Sequence, residues 1–178
     1  TAVNDKVYLF EKSSSTPLWT YDTTGGSSVD ISADGNYIVV GTYVSTSSGK
    51  LHLFNKQSNT PIWTYSTYAF NTENSVAISA DGKYVAGVTG SGVYELSLFD
   101  VNRDSSTPLW TKTLSNQPNG RLDISANGEY ICVGTEGSTS SYRKVHLFDK
   151  DSSTAIWSHT ISASIYSLRI SSDGESIV

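Results

Sequence analysis

Three landmarks recur four times each, in the same order, along this chain. Trp falls at 19, 63, 110 and 157, at spacings of 44, 47 and 47 residues. A Gly that follows Asp or Asn falls at 35, 82, 128 and 174. A Leu-Phe pair falls at 9–10, 53–54, 98–99 and 147–148. A period of this length marks a unit that cannot bury its apolar surface alone and must stack on copies of itself.

Each period holds four strand-like runs. In the unit beginning at Ser75, the run to Ser79 alternates with the period of two that a strand requires. Ala80-Asp81-Gly82-Lys83 reads as a tight turn, because Gly takes the positive φ that closes a hairpin. Tyr84-Val85-Ala86-Gly87 is a second strand and Tyr94 to Phe99 a third. A polar turn ending in Pro108 leads to a fourth, Leu109-Trp110-Thr111-Lys112, and Pro108 sits where a missing N–H does no harm. No window of 11 or more residues shows helical periodicity. The sequence predicts an all-β fold, a β-propeller of four-stranded antiparallel blades of about 45–47 residues. The inner-strand pairs Val29/Ile31, Val76/Ile78, Leu122/Ile124 and Leu168/Ile170 are expected to form inter-blade core. The four Leu-Phe pairs of the third strands are expected to join them, and the Trp rings to cover the outer edge.

The phase of the repeat sets the organisation of what reads as a single propeller region. Residues 6–21 correspond to a third and fourth strand. Complete blades are expected over 28–65, 75–112 and 121–159, and residues 164–178 correspond to a first and second strand. The two end pieces are complementary halves of a fourth blade. A ring of seven or eight blades needs a smaller turn per blade than a ring of four. The expectation is therefore a segment of a larger ring, with a four-bladed ring and a meeting of two copies as the other arrangements. The absence of Met at every position, the first included, points to a processed or internal piece.

Composition excludes several function classes. The net charge is -5 and Lys and Arg form no cluster, whereas a nucleic-acid surface needs a basic stripe. No apolar run reaches the length that spans a bilayer. The single Cys132 excludes an internal disulfide.

The units Val7-Tyr8-Leu9-Phe10-Glu11-Lys12 with Pro17-Leu18-Trp19, and Val145 to Lys150 with Ile156-Trp157, resemble the repeats of quinoprotein-like (PQQ-like) and WD-repeat-like propellers of bacteria and archaea. The Ser-Ala-Asp-Gly hairpins are similar to the Ser-Pro-Asp-Gly turn of the WD-repeat-like group. The resemblance spans nearly the whole chain and implies the fold. It does not extend to a quinoprotein active site, which needs adjacent cysteines, nor to the Trp-Asp and Gly-His of WD repeats.

The chemistry-bearing residues read as structural. His52 and His146 share a repeat slot with Tyr8 and Ser97 on separate blades, which disfavours a shared metal; both read as half-exposed strand residues, as does His159. Cys132 aligns with Val39 and Ala86 and reads as a small buried hydrophobe. Asp149 to Ser153 reads as a turn, since it lacks the Gly and distal Glu of a calcium loop. Asp30, Asp123 and Arg169 share a slot with Ala77 on the strand that lines the central channel. There they either hydrogen-bond neighbouring backbone or gather around a polar ligand.

The loops carry the functional expectation. The Ala-Asp-Gly and Ser-Ser-Thr-Pro turns of one rim barely vary, whereas the connections 42–50, 66–74, 113–120 and 135–144 of the other vary freely. Binding residues ride on loops held by a rigid scaffold. Tyr68, Phe70, Asn71, Glu73, Asn116, Gln117, Asn119, Tyr142, Arg143 and Tyr166 are the candidate binding residues. The expected function is that of a non-catalytic binding scaffold without cofactor or metal, recognising a protein or glycan at the cell surface or outside the cell. The alternatives are a module of a redox or sensory enzyme and a structural assembly unit. The expected assembly is a homo-oligomer or a chain with further blades.

Overall fold

The computed structural model describes residues 2–3, 6–70, 74–103, 105–118, 121–137 and 143–178. It is all-β apart from one 3-10 turn, Val101–Arg103. Three sheets have four antiparallel strands joined in sequence order. The first comprises β4 (Gly26–Ile31), β5 (Tyr37–Ser45), β6 (Ser48–Asn55) and β7 (Trp63–Thr67). The second comprises β8 (Val76–Ile78), β9 (Tyr84–Val88), β10 (Glu95–Asp100) and β11 (Trp110–Thr113). The third comprises β12 (Arg121–Ile124), β13 (Tyr130–Thr135), β14 (Lys144–Asp149) and β15 (Ala155–Thr160). The inner strands stand side by side, β4 next to β8 and β8 next to β12. This is the radial arrangement of propeller blades.

Two partial blades flank them. At one end β2 (Lys6–Leu9) pairs with β3 (Trp19–Asp22) on one side and with a short β1 (Ala2–Val3) on the other. At the other end a hairpin brings Ile170 against Ile177, and Arg169 and Val178 exchange backbone hydrogen bonds at 2.9 and 3.0 Å. Among the described residues no helix is long and apolar enough to cross a membrane.

Each blade turn is closed by the same local bonds. Ser32 donates its hydroxyl to Asp34 Oδ1 at 2.6 Å and accepts the Tyr37 N–H at 3.1 Å, and Ser79 and Ser125 do the same at their own turns. The glycines that follow have φ near +70°, which only Gly adopts without strain.

The core lies between blades. Ala77, Val88, Leu96 and Leu98 of the second sheet meet Leu122, Ile124, Ile131 and Phe148 of the third. The Trp rings belong to this inter-blade core rather than covering an outer edge, because the indole reaches across to the next blade. Trp19 lies 5.5 Å from Phe54, Trp63 5.2 Å from Phe99 and Trp110 5.8 Å from Phe148. The expected burial of the inner-strand pairs holds for Val76/Ile78 and Leu122/Ile124, whereas Val29 and Ile31 are exposed. Their sheet faces the half-blade β1–β3, which presents few atoms to them.

Candidate functional site

The variable connections are joined to one another across the rim. A backbone bond recurs at every junction between the connection leaving one blade and the hairpin of the next. Tyr43 N donates to Gly25 O at 2.8 Å, Gly90 N to Ala69 O at 3.0 Å and Glu136 N to Gln117 O at 2.7 Å. Side chains add to these: Gln117 Nε2 donates to Gly90 O at 3.2 Å. Glu136 is the hub of the last junction. Its Oε1 accepts the Ile165 N–H at 2.6 Å and its Oε2 lies 3.3 Å from Arg143 Nε. Arg143 in turn donates to Ser162 O, and its own carbonyl accepts the Ile161 N–H at 2.8 Å. The rim is a bonded strip, not a set of independent loops.

On this strip the candidate residues take different places. Tyr166 stands 86% exposed, Gln117 and Asn116 are half-buried, and Arg143 is held by Glu136. Tyr68 is half-buried over Gly92, where a Cβ would come within 2.7 Å of its ring. Phe70 does not line the rim. It is only 2% exposed and belongs to the core of the first two complete blades. A Cβ at Gly41 would come within 2.9 Å of Phe70, and one at Gly87 within 3.1 Å of its ring. Two strand glycines thus open the cleft that the ring fills, and such glycines signal a close approach. Asn71, Glu73, Asn119 and Tyr142 lie outside the described residues.

The expected loop 42–50 is a continued hairpin, because β5 and β6 stay in register from Thr42↔Lys50 to Ser45↔Ser48. Glu136 escaped the sequence reading. Its signal was an acidic residue in the same connection as Arg143.

Asp30, Asp123 and Arg169 line one axial cavity of about 200 Å³. Both carboxylates act as staples between inner strands. Asp30 accepts Ile31 N and, from the next blade, Ile78 N at 2.9 Å. Asp123 accepts Ile124 N and, from the terminal hairpin, Ile170 N at 2.9 Å. Burial pushes the Asp30 carboxyl above the usual carboxylate range, opposed by the N–H groups of Ile78 and Ile31 and by Arg169, and reinforced by Asp123. The backbone-bonding role is therefore the one the geometry displays.

The histidines sit apart. His52 is buried, not half-exposed, and its Nδ1 is 2.9 Å from Thr64 Oγ1; burial, helped by Lys50, pushes its pKa down to about 4. His146 makes the equivalent contact with Ser158 Oγ at 2.7 Å on another blade. Burial pushes the Cys132 thiol up to about 12, which leaves it inert at neutral pH. Asp149 accepts Asp151 N at 2.8 Å in a plain turn.

Comparison with known proteins accords with this architecture. A search of curated proteins finds no match. A chain of the hydrazine synthase of Kuenenia stuttgartiensis matches with a TM-score of 0.66 at 17% identity, over 86% of this chain and 41% of that one. The present chain thus spans less than half of that structure, and at this identity the likeness is one of fold. The family profile described as outer membrane protein assembly factor BamB matches residues 1–159. With the blade topology, the inter-blade Trp contacts and a profile match over most of its length, the chain belongs to this family of PQQ-type β-propeller repeats.

Proposed function

We propose that the chain is a non-catalytic propeller scaffold that binds a protein partner through its variable rim, at the cell envelope or cell surface. The observation that carries this reading is the bonded strip from Ala69 through Gly90, Gln117, Glu136 and Arg143 to Ile165. A rigid surface loses less conformational entropy on binding than free loops do. The strip displays Tyr166 in the open next to the Arg143–Glu136 pair, and Tyr and Arg are the side chains that most often anchor interfaces. The family description names an assembly factor of the outer membrane, which supports a protein partner and an envelope location.

The non-catalytic reading is supported by the occupied state of the ionisable groups. Asp30 and Asp123 accept backbone N–H groups, and His52 and His146 are bonded to hydroxyls on different blades. The test is photo-crosslinking from a benzoylphenylalanine at position 166, with position 14 on the opposite rim as control. A protein adduct specific to position 166 and lost in Arg143→Glu supports the reading. A carbohydrate adduct, or equal yields from both rims, overturns it.

A further inference from the structure

The repeat makes blade junctions comparable position by position, and one junction is open on both sides. In the complete junctions a Trp lies over the Phe of the next blade. The Trp19 and Trp110 indoles also donate to Lys56 O at 2.8 Å and Lys150 O at 2.7 Å. At one end of the arc Trp157 stands 41% exposed. At the other, Phe10 occupies the repeat position of Phe54 and Phe148 and is 46% exposed, with Lys12 at the position of Lys56 and Lys150. A cavity of about 390 Å³ lies beside Phe10 and Lys12, bounded across by Ile31 and Gly35. A second of about 180 Å³ continues it along Leu9 and Val29. No residue of 164–178 lines either one.

The terminal hairpin has the shape and register to enter this slot. Ser176, Ile177 and Val178 occupy the repeat positions of Tyr37, Ile38 and Val39, which pair with Asn55, Phe54 and Leu53. Transferred to the half-blade, Ser176 stands opposite Glu11, Ile177 opposite Phe10 and Val178 opposite Leu9. The strand β1 pairs only with Lys6 and Val7, so the two segments meet end to end without overlap. Charge matches as well. Within the third blade Lys150 N donates to Glu129 O at 3.0 Å, and Lys150 Nζ is 3.5 Å from Glu129 Oε2. Glu175 stands at the position of Glu129, and Lys12 at that of Lys150.

We infer that the hairpin Leu168–Val178 of one copy completes the half-blade β2–β3 of a second copy, and reciprocally. The hairpin keeps its own attachments, the Asp123 staple and the contact of Leu168 with Cys132 and Leu147, while its free strand adds to the partner's sheet. Trp157 then covers the partner's Phe10, and Val178 covers Val29 and Ile31. With three full blades and two halves per copy, two copies close one ring of eight blades, within the range that propellers adopt.

Light scattering after gel filtration tests the assembly, and expects twice the chain mass of 19.2 kDa. Disulfide mapping tests the junction. Chains carrying Phe10→Cys and chains carrying Ile177→Cys are mixed and oxidised with diamide, and a linked dimer joining one of each is expected. Cys132 is buried and does not compete. Charge reversal adds an arm that leaves the core untouched: Lys12→Glu and Glu175→Lys each weaken dimerisation several-fold, and a chain carrying both regains it. A monomeric chain overturns the inference. So does an intrachain disulfide in the double Cys variant, since the chain's own hairpin then fills the slot. So does a double charge variant no tighter than either single one.

Discussion

Trp110 of one blade donates its indole N–H to the Lys150 carbonyl of the next at 2.7 Å, while its ring lies 5.8 Å from Phe148. Trp63 lies as close to Phe99, yet its Nε1 is buried without a partner in the structure. The residue at the acceptor's place there is Val101, which begins the 3-10 turn. Trp110→Phe is therefore expected to cost more than Trp63→Phe by about 1–2 kcal/mol, since one removes a satisfied hydrogen bond and the other relieves an unsatisfied donor. Urea unfolding of both variants measures the difference, and equal losses would show that the bond contributes nothing.

Turn glycines test blade stacking. Gly128 has φ of 74°, and a Cβ there would overlap the Tyr84 ring of the preceding blade. Gly35 has φ of 72° with nothing within 4 Å of the same point. Gly35→Ala is expected to cost about 1 kcal/mol from the left-handed backbone alone, and Gly128→Ala about 1–3 kcal/mol more from overlap. Thermal midpoints of the two variants check the order.

His52 makes stability depend on acidity. Its folded pKa of about 4 lies below its ordinary 6.5. A depressed folded pKa means the unfolded chain binds the proton more readily. The stabilisation is complete above about pH 6.5 and is lost as pH falls toward 4, by roughly 3 kcal/mol at most. In His52→Ser, which copies the residue of the same slot in the next blade, unfolding free energy is expected to fall less steeply over that window. An unchanged slope would assign the dependence to the carboxylates.

The Asp123 staple holds the terminal hairpin to the last complete blade. Asp123→Ala leaves the Ile170 N–H without its acceptor and is expected to raise amide exchange across 168–178 by ten-fold or more, with the β8–β11 sheet unaffected. Asp123→Asn keeps one carbonyl oxygen and is expected to lose less. Equal exchange in all three proteins would place the hairpin's attachment in Leu168 alone.

Most of the fold was legible before any coordinate. The four landmarks report requirements a blade meets locally, namely a turn that needs Gly at positive φ and strands that alternate along their length. The Asp30, Asp123 and Arg169 slot was legible too, because a shared repeat position brings residues to one axis. Phe70 was not, since its place depends on the Cβ atoms missing at Gly41 and Gly87 across two other strands.

What the sequence determined by itself was therefore the repeat, the strand order and the faces of the blades, all consequences of local geometry and hydrophobic period. The tertiary structure alone decided which groups meet between blades. It sent the Trp rings across the junctions, tied Glu136 to Arg143 and Ile165, and left Phe10, Ile31 and Trp157 open at the ends of the arc. The reason is that inter-blade contacts depend on rotation and spacing between units, and a pattern that repeats within each unit carries no record of either.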